Sequence, residues 1–115
     1  MTGVAYKLVD ETEWAAALDR GVYLGSALDQ ADGYIHMSTA AQLAETARRH
    51  YAGRTGLVLV EVALEPLGAA LKWEPSRGGD LFPHLYAPLP TAAALEIRPL
   101  PLRPDGAPDT GDLTP

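Results

Sequence analysis

Hydrophobic and polar positions change period several times along this chain, and each change marks an element. Tyr6 to Val9 reads as a short first strand. Trp14, Ala17 and Leu18 then recur at helical spacing. Asp10 stands where an N-cap belongs, with Glu13 three residues on as its capping-box partner, and Gly21 suits the left-handed residue that closes a helix. The following stretch, GVYLGSALDQADG, is dense in Gly, Asp and Ser and reads as a turn-rich connector. Tyr34 to Met37 is a brief strand-like run leading directly into a second helix. There Thr39 and Gln42 form a capping box, Ala40, Leu43, Ala44, Ala47 and Tyr51 make one apolar stripe, and Gly53 ends the helix.

Gly56 to Leu64 is almost continuously apolar and β-branched, as a central strand buried on both faces requires. Glu61 interrupts it. By alternation it shares a face with Leu57, Leu59 and Ala63, so either that face opens onto a cleft at Glu61 or, the favoured reading, the strand is leaving the core there. Pro66 and Gly68 break the run, and Leu71 to Glu74 offers a further strand. PSRGGD is a glycine loop, His84 to Tyr86 resumes extended structure, and Ala92 to Arg98 alternates as an edge-type strand. The order predicts an α+β fold: a small single domain over residues 1–101, with a curved, mixed or mostly antiparallel sheet and two helices. Residues 102–115, rich in Pro, Gly and Asp, read as a disordered tail.

Composition narrows the function classes. The chain has 115 residues, 47% hydrophobic and 21% charged, as an ordinary globular domain does. It has no cysteine, which excludes disulfides, thiolate metal sites and thiol nucleophiles. The net charge of −6 and only nine basic residues disfavour a nucleic-acid partner, because phosphate neutralisation drives such binding. Arg48, Arg49 and His50 are nearest to a basic cluster, but they stand at a helix end, where they complement the dipole. No secretory signal and no membrane-length apolar run is visible, so a cytoplasmic location is expected, with protein partners unassigned.

Two histidines carry the candidate chemistry. His36, in DGYIHMSTAAQ, ends a short strand and is followed by Ser38 and Thr39 at a helix start, where free N–H groups and hydroxyls suit an oxygen-rich ligand. The plainer alternative is a histidine bonded to backbone while a hydroxyl caps the helix. His84, in LFPHLY, follows Phe82 and Pro83, with Tyr86 on the same strand face. Upstream, KWEPSRGGD sets Lys72, Trp73, Glu74, Arg77 and Asp80 around two glycines. An aromatic ring, a carboxylate and a guanidinium near a histidine commonly grip a small polar molecule. No metal-type spacing such as HxH or HExxH occurs, and no GxSxG elbow is present.

Together, the motifs DGYIHMST and RGGDLFPHLY closely resemble those of the bacterial domain-of-unknown-function 952 family, over Tyr6 to about Pro101. The resemblance implies an ADP-ribosylation-like split sheet with a cleft that, in active relatives, holds NAD. It also implies roles. His36 would hold the ribose, and His84 or Tyr86 would lie under the nicotinamide. Glu74 and Glu96 are both candidates for the glutamate that polarises a ribose hydroxyl. Trp73 or Tyr86 would stack, Arg77 would meet a phosphate, and Ser38, Thr39 and Phe82 would border the ligand. Paired histidines are closer to the 2′-phosphotransferase branch than to the toxin-like branch. The expectation is thus an ADP-ribosyl or 2′-phosphotransferase-type enzyme with NAD as substrate. The alternative is a non-catalytic small-molecule-binding domain on the same fold.

Overall fold

The computed structural model describes residues 3–110, and Arg77 in backbone only. Eight strands and three α-helices, joined by short 3-10 turns, alternate first and then run strand after strand. Every strand pairing among these residues is antiparallel. The α+β expectation holds.

β1 (Val4–Asp10) pairs along its whole length with β4 (Leu57–Ala63), which is central, and β8 (Ala94–Pro99) closes the far edge. The apolar run of β4 is explained by its two covered faces. On one, Leu57 and Leu59 join Tyr6 and Leu8 of β1 against Leu43 and Ala47 of α3 (Ala40–His50). On the other, Val60 and Val62 join Ala5 and Val9 against Trp14 and Ala17 of α1 (Glu11–Arg20). Glu61 falls where the β4–β8 register shifts, half-buried and opposite Glu96, but Val62 after it is fully buried, so the strand does not leave the core there.

A second three-stranded sheet has the order β3 (Ile35–His36), β6 (Leu81–Leu85), β5 (Leu71–Pro75). β2 (Val22–Tyr23) and β7 (Leu89–Pro90) form a small ribbon. A backbone bridge joins the two larger sheets, whose side chains also share one core cluster. Ser38 exchanges two backbone hydrogen bonds with Tyr6 of β1, at 2.8 and 2.9 Å, two residues after His36 has paired in the other sheet.

Local capping accounts for the helices. The Asp10 carboxylate accepts from the Thr12 and Glu13 amides, and Thr39 and Gln42 form the reciprocal box at α3. The α3 helix ends at His50, three residues before Gly53. The connector read as turns holds a third helix, α2 (Ala27–Asp32), with a capping box between Ser26 and Asp29. Six residues give it no apolar period to read. Of the segment read as a tail, residues 102–110 turn back through a Leu102–Pro108 bridge, Gly53 donates to the Gly106 carbonyl, and Ala107 is buried. Residues 111–115 lie outside the described residues. No helix among those described is long and apolar enough to cross a membrane.

Candidate functional site

His36 and His84 occupy directly opposed positions of β3 and β6, so the antiparallel register itself brings them together. Their ring centroids are 5.5 Å apart, edge to face. They stand side by side on one wall of a cleft of about 550 Å³, within the usual size range of small-molecule sites. β1 contributes Tyr6, Lys7 and Leu8 to it.

Each histidine is held by a carboxylate from another element. His36 Nδ1 donates to Asp29 Oδ1 at 2.6 Å, and its backbone N–H donates to the same oxygen at 3.1 Å. His36 Nε2 lies 3.0 Å from Asp32 Oδ2. His84 Nδ1 donates to Glu74 Oε1 at 2.8 Å, and the Tyr86 hydroxyl donates to the same oxygen at 2.7 Å. Tyr34 packs against this group, its ring centroid 4.5 Å from His36, 4.2 Å from His84 and 5.1 Å from Tyr86. Such contacts fix ring orientation, which a preorganised site requires.

Asp29 is the hub. It is 2% exposed, and it also binds Lys7 Nζ, at 2.9 Å to Oδ2, and accepts the Ser26 amide at 2.9 Å. Burial alone would raise its carboxyl. The His36 hydrogen bond, the Lys7 charge and the Ser26 amide outweigh that and hold it well below the usual carboxylate range. Lys7 shows the opposite balance: loss of hydration lowers its ammonium below the ordinary value, although Asp29 acts against this. Glu74 is depressed by the Tyr86 hydroxyl first and by His84 second, and the same bond pushes Tyr86 up to about 12.

The other candidate residues divide. Ser38 and Phe82 border the cleft, with the Ser38 hydroxyl bonded to Thr46 on α3 at 3.1 Å. Thr39 is engaged in capping, away from the cleft wall. Glu74 and Tyr86 support His84 from behind rather than bordering the cleft. Trp73 is 45% exposed on β5, opposite Pro83, and does not border it either. The Arg77 side chain lies outside the described residues. Among those residues, no three His, Asp or Glu side chains converge to hold a metal ion.

Sequence reasoning passed over Lys7, Asp29, Asp32 and Tyr34. Lys7 carried a signal: by alternation it shares a strand face with Ala5 and Val9, both fully buried, so it is a charge on a core face. Asp29 carried one too, as the third residue after Ser26 in a capping-box pattern.

Comparison with known proteins agrees with this architecture. No curated protein matches the chain. The crystal structure of protein CC0527 from Caulobacter crescentus superposes with a TM-score of 0.91 at 47% identity, covering 93% of this chain and 94% of that one. The solution NMR structure of the same protein gives 0.83 at 47% identity, over 92% and 91%. Residues 8–97 match the family described as a protein of unknown function, DUF952. With most of its length matched to that family, the chain belongs to DUF952.

Proposed function

We propose that the cleft binds a small nucleotide-like molecule, NAD or a relative, and handles its ribose through His36 and His84. One observation carries this reading: two imidazoles, 5.5 Å apart on one cleft wall, each braced by a carboxylate. Loss of a base from a ribose leaves positive charge on the sugar, so the site must hold the hydroxyls and tolerate that charge. His36, held between Asp29 and Asp32, and His84, held by Glu74, would flank the ribose, and these carboxylates supply negative charge beside the rings. The reaction class would be ADP-ribosyl transfer or 2′-phosphate transfer. Two separate three-stranded sheets bridged at Ser38 are consistent with the split sheet that the family resemblance implies.

One observation favours a binding domain without catalysis. Glu74 is committed to His84 and Tyr86 and does not border the cleft, so it is not available to polarise a ribose hydroxyl.

Calorimetric titration with NAD and ADP-ribose, on the wild type and on His84→Asn, tests the proposal. Saturable binding weakened by the substitution is expected. Chromatography for released nicotinamide then separates enzyme from binding domain. Absence of binding at millimolar ligand overturns the nucleotide reading.

A further inference from the structure

One residue of the cleft wall holds a buried polar atom with no hydrogen-bond partner among the described residues. Tyr23, on β2, is 2% exposed, and its hydroxyl has no hydrogen-bond partner among the described residues. Buried polar groups are almost always paired, and an unpaired one raises the free energy of the folded chain. Tyr23 borders the cleft together with Lys7, Ser26 and Tyr51. Trp14 Nε1 is buried without a partner in the same way, but Trp14 does not border the cleft. Only the tyrosine therefore adjoins a volume that a ligand can enter.

The surroundings restrict what the hydroxyl can meet. Burial, then the charges of Asp29, Glu13 and Asp10, push the Tyr23 phenol far above its ordinary range, so it stays an O–H donor. Lys7 is committed to both oxygens of Asp29, and Arg54 and His50, which also border the cleft, do not act on the Tyr23 phenol as Asp29, Glu13 and Asp10 do. An anionic ligand group would meet net negative charge here, whereas an uncharged acceptor would not.

We propose that Tyr23 marks an inner subsite of the cleft, where its hydroxyl donates to the uncharged carbonyl oxygen of a ligand, such as that of a primary amide. This rests on the cleft being a small-molecule site, but not on the ligand being a nucleotide. The subsite extends recognition beyond the histidine wall to the side formed by β1 and β2. A ligand spanning both would place a polyhydroxylated portion at His36 and His84 and a neutral carbonyl at Tyr23.

The test is NMR titration of the whole chain with benzamide, its anionic counterpart benzoate, and ADP-ribose, on the wild type and Tyr23→Phe. Benzamide is expected to shift the amide signals of Lys7 and of residues 22–26, with benzoate much weaker. Tyr23→Phe should weaken benzamide about tenfold, the worth of one hydrogen bond, and should melt no lower than the wild type, since the atom removed has no partner. No benzamide-dependent shift at millimolar concentration overturns the subsite. So does equal affinity in Tyr23→Phe, preference for benzoate, or a lowered melting temperature, which would reveal a structural partner. Benzamide binding without ADP-ribose binding would retain the subsite and discard the nucleotide reading.

Discussion

Lys7 Nζ touches both carboxylate oxygens of Asp29, at 2.9 and 3.1 Å, with side chains only 4% and 1% exposed. The pair ties β1 to α2, and through Asp29 it reaches His36. Buried ion pairs contribute little net stability against an apolar substitute, yet losing one partner strands the other charge. Asp29→Asn is therefore expected to cost about 3–5 kcal/mol. Lys7→Met should cost less, because Asp29 keeps its N–H donors from Ser26 and His36. Urea unfolding of the two variants at neutral pH checks the order, and a costlier Lys7→Met would refute it.

The same carboxyl sets an acid limb. An acid whose folded-state value is depressed adds stability that is complete above its unfolded value and lost as pH falls below it. With an ordinary value of 3.8 for the carboxyl, the stability gap between wild type and Asp29→Asn should shrink as pH falls below that value. Unfolding midpoints along a descending pH series measure this. A gap that widened below 3.8 would contradict the assignment.

Gly25 and Gly33 flank α2 with left-handed φ angles of +100° and +87°. Alanine strains either position by about 1–3 kcal/mol. At Gly25 the new Cβ would also lie 2.8 Å from the Asp29 Cβ, whereas at Gly33 it meets open space. Gly25→Ala should consequently be the more destabilising and should displace Asp29 from His36. Comparing both variants by denaturation and by the His36 imidazole NMR signals is the check.

Glu74 and Tyr86 share a single 2.7 Å hydrogen bond that raises the phenol to about 12. Glu74→Gln removes the negative charge, so one of the five tyrosines should ionise at lower pH than before. Ultraviolet titration of the phenolates reads this directly, and an unchanged alkaline titration would show that the bond does not form in solution.

What could be read from the residues was what neighbours in sequence decide. The α3 helix was legible because Thr39 and Gln42 cap each other three residues apart and Leu43 and Ala47 repeat on one face. The central place of β4 was legible because seven residues with two buried faces leave few polar positions. Both histidine motifs stood out for the same local reason. The tertiary structure alone decided that Asp29, 22 residues from Lys7, would bind it and orient His36. It also decided that Glu74 would stand behind His84, and that Tyr23 would border a cleft. The two-residue strands β2, β3 and β7 and the six-residue α2 are too short to show a period or to be stable alone. Their positions come from partners distant in sequence, and the short-range electrostatics of the cleft exist only once those partners meet.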